Sequence, residues 1–453
     1  MPWGDLHTAA LEDNAELAEA LLLSAAARVD TRSDDGGTPL MVAAQGGHER
    51  VARALLHFGA DVNIASESGW TALMMSAQNG HLAVAALLAG AGAEVDAEDC
   101  EGDTALTAAS SNGHAAVVDL LVGAGADLEC ACFQDAKRPL HKAAQGGHLA
   151  VVGALVAAGA DPECRTVVGE TPLLLAALHG HLGVVRALLR ARVDPAYPMI
   201  LPTGKQFVAL DAAADQGHRE TVRELLALGV DACGGPRRGV VGLCLAAQKE
   251  DVGMIAILRE GGVVDTGKAL CDATNQGREA SVKFLLRLDW GVPARRYVNV
   301  RNDLGFTPLW IAVGSGTPRI VRMLLDAGAD VKKTCRNTNL WQFEGSRVTP
   351  LGFVMDSIRQ RNYRGGFATE EQVERMQAVR RLLLRVDAVR ALSWLWRRSD
   401  NASGTARSAE EEVMDGDYPG RSAAAAAAAL KVPIVRDRKR AATAAFFRYS
   451  NKP

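Results

Sequence analysis

The sequence predicts an all-α fold: a solenoid of stacked helix-turn-helix repeats linked by hairpin loops and followed by a disordered tail. Three observations carry that prediction. Gly-His pairs recur with their histidines at His48, His81, His114, His148, His181 and His218, at intervals of 33, 33, 34, 33 and 37 residues. Each pair stands about ten residues after a Thr-Pro-Leu-like start and about eleven before a Gly-Ala-Asp-like end. Finally, 48% of the 453 residues are hydrophobic but only 5% are aromatic. A core of Ala, Leu and Val suits thin layers of short helices, and the length exceeds what one compact core usually holds.

The copy beginning at Thr38 justifies each element in turn. Thr38 can cap a helix start, and Pro39 occupies the first turn, where its missing N–H costs nothing. Leu40, Ala43 and Ala44 form one apolar face, and Gly46 and Gly47 end the helix. A second helix follows, with Val51, Ala52, Leu55 and Leu56 at helical spacing and a left-handed stop at Gly59. The remaining "ADVNIASESG" is rich in turn formers. Neither helix reaches the roughly 12 to 15 residues that a lone helix needs in water, so stacking is obligatory.

The starts read "TPLMVAA" (38), "TALMMSA" (71), "TALTAAS" (104), "RPLHKAA" (138), "TPLLLAA" (171) and "TPLWIAV" (307). The ends read "GADVN" (59), "GAEVD" (92), "GADLE" (125), "GADPE" (159) and "GADVK" (328). Period and motif together resemble the ankyrin-repeat family, whose sign is a 33-residue period carrying T-P-L-H-x-A. The resemblance covers residues 4–398 in about eleven copies. It divides into an N-terminal cap at about 4–35, regular repeats at 36–204, irregular repeats at 205–340 and a C-terminal capping repeat at 341–398, whose outer helix is expected at roughly 371–396. Residues 399–453 read as a disordered tail with a poly-Ala run (423–429) and a basic end.

Three joints depart from the period. Arg192 replaces a helix-ending Gly, where a Cβ is unfavourable, and the loop through 207 is about four residues longer than usual. The Leu243–Leu270 interval falls to 27, trimming a hairpin around 259–269, and the Leu270–Leu309 interval grows to 39 through 288–302. These joints bend the array or carry specific contacts, or they are neutral loop variation.

Composition excludes several classes. No window approaches 18 uninterrupted apolar residues, so no membrane span is expected. The run at 18–29 has no basic region before it and reads as an amphipathic helix rather than a secretory signal. Eight cysteines show no CxxC pair and no zinc-like grouping with histidines, which points to reduced thiols in a cytoplasmic or nuclear protein. The net charge of −3 hides an asymmetry: residues 1–135 hold 21 acids and 4 bases, −17, leaving +14 for the remainder.

Gly-Gly-His at 46–48 and 146–148 lies between two helices and lacks the spacing of a phosphate loop. One histidine per repeat, on helices 8 to 10 Å apart, is too sparse for a metal array. The resemblance implies that these histidines hydrogen-bond across the inter-helix turns. It also implies that His7 and His141, at the TPLH position, tie neighbouring repeats. Asp211 and Asp215 stand four apart on one inner helix and are expected on a solvated face. No cofactor, metal or catalytic set is expected, and the chain reads as a non-enzyme.

The candidate partner site is an acidic row at the hairpin tips: Asp34, Asp35, Glu67, Glu98, Asp99, Glu101 and Asp103, with Trp70 as an aromatic anchor. Such a row suits a protein partner carrying a basic segment, or it serves solubility alone. Asn63, in "LLHFGADVN", matches what the resemblance implies for asparaginyl β-hydroxylation. Arg436, Arg438, Lys439 and Arg440 form a short basic run readable as a nuclear-import signal. The function expected is a protein-binding scaffold or adaptor using tips and the concave helix face. A nuclear or nucleic-acid-associated regulator acting through the basic C-terminal region is the alternative, though nucleic acid is disfavoured. An enzyme with its site in the irregular joints at 192–207 or 291–302 ranks behind both. Partner identity and oligomeric state are not encoded in these features.

Overall fold

A computed structural model describes residues 5–24, 27–200, 206–227, 240–265, 267–291, 293–334, 349–355 and 370–400. The chain divides into two compact units, Met1–Asp265 and Thr266–Pro453. In the first, the helices come in pairs: α1 Asp5–Leu11 with α2 Ala15–Leu23, α3 Pro39–Gly46 with α4 Glu49–His57, α5 Ala72–Asn79 with α6 Leu82–Gly90, and α7 Ala105–Asn112 with α8 Ala115–Gly123. The series continues with α9 Pro139–Gly146 and α10 Leu149–Ala157, α11 Pro172–Leu178 and α12 Leu182–Arg190, α13 Ala209–Gln216 and α14 Arg219–Ala227, and α15 Val240–Lys249 and α16 Val252–Glu260. Odd-numbered helices pack on odd and even on even, which makes two layers.

The sequence register explains the layers. Leu40, Leu73, Leu106, Leu140, Leu173, Leu210 and Leu243 are equivalent and buried, as are Leu55, Leu88, Leu121, Leu155, Leu188, Leu225 and Leu258 on the second helices. Ala43, Ser76, Ala109, Ala143, Ala176, Ala213 and Ala246 keep one inner-helix position small and buried, letting neighbouring helices approach closely. Thr38, Thr71, Thr104 and Thr171 cap their helices as expected, each accepting the N–H three residues on.

The Gly-His pairs are joints between successive repeats. His81, His114, His148, His181 and His218 each place Nε2 within 2.9–3.1 Å of the carbonyl of Gln45, Gln78, Ser111, Gln145 and Leu178 in the preceding repeat. Gly47, Gly80, Gly113, Gly147 and Gly180 are left-handed, and a Cβ on any of them would lie 2.4–2.5 Å from that same imidazole. Glycine is therefore required twice over, by its φ and by the ring lying against it.

A second ladder joins the hairpins. The side chains of Asp30, Asn63, Asp96, Glu129 and Glu163 accept the backbone N–H of Asp61, Glu94, Asp127, Asp161 and Asp194, each one repeat further on.

The irregular joints keep these tasks with different chemistry. Arg192 does adopt the left-handed conformation, at φ +63°, and the longer loop after it forms a two-stranded antiparallel ribbon, β1 Met199–Ile200 and β2 Gln206–Phe207. Asp211 corrects an expectation, for it is buried rather than solvated. Its carboxylate accepts from Val208 N (3.2 Å), capping α13, and from Gly242 N (2.7 Å) of the following repeat. Burial pushes its pKa up to about 6, against these two hydrogen bonds. Asp215 instead pairs with Lys249 at 2.6 Å.

The second unit holds α17 Lys268–Asn275 with α18 Glu279–Leu285, a one-turn helix α19 Ala294–Tyr297, and α20 Pro308–Gly314 with α21 Pro318–Asp326. Residues 350–355 are helical, and a last helix, α22 Glu370–Asp400, packs on α21. Val379 and Leu383 of this helix are buried. The tail from 401 onward, with the poly-Ala run and the basic segment, lies outside the described residues.

Gly113→Ala and Gly125→Ala separate the two demands on glycine. Both positions have φ above +80°, but only at Gly113 would the Cβ meet a neighbour, His148 Nδ1 at 2.4 Å. Each variant is expected to lose about 1 kcal/mol from the left-handed strain. Gly113→Ala should lose roughly 1–2 kcal/mol more as His148 is displaced from Ser111 O, read as a larger drop in the denaturant midpoint. Arg192→Gly should gain about 1 kcal/mol by the same measurement.

Candidate functional site

The hairpin tips of the first unit form a connected edge. Each tip closes on itself: Ser33 N donates to Gly37 O, Ser66 N to Trp70 O, Asp99 N to Asp103 O, Cys132 N to Lys137 O and Thr166 N to Glu170 O. A left-handed Gly36, Gly69, Gly102 or Gly169 makes the bend in four of the five, and Ala136 in the other. Successive tips are then joined by backbone bonds, Glu67 N to Asp35 O (3.0 Å), Cys100 N to Ser68 O (3.0 Å), Phe133 N to Glu101 O (2.8 Å) and Val167 N to Asp135 O (3.0 Å). The side chains along this edge stand on a backbone that is hydrogen-bonded within and between repeats.

The expected acidic row divides into two kinds of residue. Asp34, Glu67, Glu98 and Glu101 are exposed. Asp35 is exposed too, but the Ser33 hydroxyl and then the Gly37 N–H hold its carboxyl below the usual range. Asp99 is buried, and its Oδ1 accepts from Glu101 N and Asp103 N, both at 2.8 Å, so it fastens its own turn. Ser66, Thr166 and Asn302 do the same at equivalent positions, accepting from Trp70, Glu170 and Phe306 N. Asp103 is half-buried and pairs with Lys142 at 3.4 Å. Trp70 is half-buried at the base of its tip.

The acidic edge runs into an apolar one that the sequence reading missed. Phe133 (65% exposed), Val167 (73%) and Val168 (61%) occupy the tips after Glu101, and Ile200 (67%) lies in the ribbon beyond. Phe133 lies over Gly102, where a Cβ would come within 2.9 Å of its ring. Aligning the turn-closing residues Ser33, Ser66, Asp99, Cys132 and Thr166 would have exposed the pattern, because the next positions read Asp34, Glu67, Cys100, Phe133 and Val167.

Asn63 is exposed, yet its amide is in use: Oδ1 accepts from Glu94 N (2.8 Å) and Nδ2 donates to Gly92 O (3.4 Å). Asn299 makes the same pair of contacts, with Asp330 N (2.7 Å) and Gly328 O (3.3 Å). Arg436, Arg438, Lys439 and Arg440 lie outside the described residues.

One Cys–His pair resembles a nucleophile and base: Cys164 Sγ lies 3.6 Å from His141 Nδ1. The surroundings oppose that chemistry. Burial pushes the thiol up to about 12 and the imidazole down to about 4. His141 Nδ1 also accepts from Arg138 N, while Nε2 donates to Glu170 O, a contact that ties two repeats as the family resemblance implied. His7 reaches Gly37 O in the same way. Cys130 and Cys132 are likewise pushed up by burial, to about 12 and about 11.

A model of ankyrin repeats in three copies matches residues 6–99, 83–166, 140–233 and 243–335. The chain belongs to the ankyrin-repeat family. No curated protein matches it in a sequence comparison. Ankyrin repeats generally mediate protein–protein interaction and are typically non-catalytic. Among the described residues, no helix is long and apolar enough to cross a membrane.

The His141 contacts set a pH dependence. A folded pKa of about 4 against a reference of 6.5 means that the unfolded chain binds the proton more tightly. The stability contributed by the neutral ring is complete above pH 6.5 and is lost as pH falls toward 4. His141→Gln should be less stable than the wild type at pH 7.5, and the gap should narrow on titration from 6.5 to 4, measured by urea unfolding.

Proposed function

We propose that this ankyrin-repeat chain is a non-catalytic scaffold that binds a protein segment along the tip edge of its first unit. Basic residues of the partner lie against Asp34, Asp35, Glu67, Glu98 and Glu101, and apolar or aromatic residues next to them cover Phe133, Val167 and Val168. The observation that carries the reading is the passage from exposed carboxylates to exposed apolar side chains along one hydrogen-bonded edge. Apolar side chains held out of the core are available for burial against a partner. The fixed backbone lowers the entropy that docking costs, and the charge of −17 over residues 1–135 favours a basic partner at long range.

Asp99 and Asp103 act in this reading as supports, the one closing a turn and the other neutralised by Lys142. Thiols pushed up by burial at Cys130, Cys132 and Cys164 suit a cytoplasmic or nuclear setting, where they stay reduced.

Selection of a random peptide display library on the full chain tests the proposal. Enriched peptides should combine Lys or Arg with a neighbouring aliphatic or aromatic cluster. Glu67→Lys/Glu98→Lys/Glu101→Lys should weaken them at least tenfold, with a steep salt dependence. Phe133→Ser/Val167→Ser should weaken them to a similar extent but with little change in salt dependence. Enrichment of peptides that bind both variants as well as the wild type would place the docking surface elsewhere.

A further inference from the structure

The second unit contains a cavity of about 470 Å³ lined by Arg295, Arg296, Asn299, Val300, Arg301, Asp330 and Lys333. It occupies the longest of the irregular joints, where the Leu270–Leu309 interval reaches 39 residues. We infer that this cavity is a binding site for a small phosphate-bearing polyanion.

The charge balance is the first argument. Four of the lining side chains are cations and one is a carboxylate. None of the four makes an ion pair among the described residues, although Arg and Lys elsewhere pair repeatedly, as in Arg186–Glu224 and Arg219–Asp251. Arg301 donates to Gly305 O (2.9 Å) and Lys333 to Asn299 O (2.7 Å), both backbone carbonyls. Arg295 and Arg296 are exposed, and neither guanidinium has a hydrogen-bond partner among those residues. Gathering four cations around one concavity that holds a single carboxylate is unfavourable in the empty state and favourable once an anion enters.

The second argument is that the joint is built. Trp290 donates from Nε1 to Leu285 O (3.0 Å) and stacks on Tyr297 with 5.8 Å between ring centroids. Tyr297 and Val298 are buried, which turns Arg295 and Arg296 of α19 outward. Asn299 holds Arg295 O (2.7 Å), Gly328 O and Asp330 N, fixing α19 to the next hairpin. Trp310, in the TPLH position, donates to Lys333 O (3.1 Å) and fixes the far wall. The cations thus project from a braced frame.

Ligand class follows from shape and donor type. Guanidinium groups present paired N–H donors that match phosphate oxygens, and Lys333 adds a point charge. A volume of about 470 Å³ falls within the range of small-molecule pockets, whereas a nucleic-acid backbone calls for an extended basic stripe. The lining includes no Ser, Cys or His, so the site favours binding over the catalysis considered for this joint from the sequence.

Calorimetric titration of the full chain with inorganic phosphate, pyrophosphate and tripolyphosphate at fixed ionic strength tests this. Affinity should rise with phosphate number at a stoichiometry of one. Arg295→Ala/Arg296→Ala, which removes two exposed side chains, should weaken tripolyphosphate at least tenfold. The charge-matched Arg319→Ala/Arg322→Ala should stay within about twofold, and a thermal-shift series should rank the three proteins alike. Equal weakening in both double variants, or no saturable binding by the wild type, would overturn the proposal. A single-stranded oligonucleotide that binds at this joint and is not displaced by tripolyphosphate would overturn it in favour of a nucleic-acid surface. Neither result bears on the tip edge of the first unit.

Discussion

The contact on which the regular repeats depend is the imidazole of one repeat lying on the left-handed glycine of the repeat before it. That ring donates to a carbonyl at the end of the preceding inner helix, where backbone acceptors lack an intrahelical partner. The same stacking leaves no room for a Cβ. A short helix cannot persist alone, so an interaction that both satisfies a helix end and sets the spacing to the next repeat fixes the register of everything attached to it. The hairpin tips inherit that register. Their joining bonds, such as Cys100 N to Ser68 O, need neighbouring repeats at one fixed offset.

Legibility in the sequence followed distance along the chain. Helix pairs, caps and the glycine stops depend on residues within about four positions of one another, and Thr38, Pro39 and Gly47 announce them. The family resemblance implied that the histidines hydrogen-bond across the inter-helix turns, and the structure makes that contact between successive repeats, 36 residues apart. What a carboxylate does could not be read in that way. Asp34 and Asp99 look equally acidic on the page, yet Asp34 is exposed while Asp99 turns inward to accept two N–H groups of its own loop. The difference is a one-residue shift in the turn, which becomes visible only when Ser33, Ser66 and Asp99 are placed in register. Asp211 was misjudged for a related reason. Its position on the inner helix suggested solvent, but the backbone N–H of Gly242, 31 residues away, needed an acceptor there.

The apolar edge was passed over because Phe133, Val167 and Val168 stand in loops, where hydrophobic residues carry no helical period to mark them. Hydrophobic periodicity identifies what is buried, so exposed apolar side chains fall outside its reach. The basic cavity escaped notice for the opposite reason. Arg295 and Arg296 sit in a segment read as an interruption of the repeat, and their meeting with Lys333 depends on how Asn299 and Trp310 fold that interruption back.

The irregular joints therefore change the means of satisfying a constraint while keeping the constraint. Where Gly-His gives way to Glu250-Asp251, Glu250 still takes a positive φ of +64°. Asp251 then caps α16 through Met254 N and receives Arg219 at 2.9 Å, so a charged pair does the joining that an imidazole and a carbonyl do elsewhere. An ion pair with partly exposed partners contributes little and is screened by salt, whereas a hydrogen bond from a neutral imidazole to a carbonyl is not screened in that way. Nearest-neighbour interfaces in a repeat array contribute to stability one by one. The joint at 250–251 consequently responds to ionic strength in a way that the Gly-His joints do not, and that local weakness coexists with an unchanged core at Leu243 and Leu258.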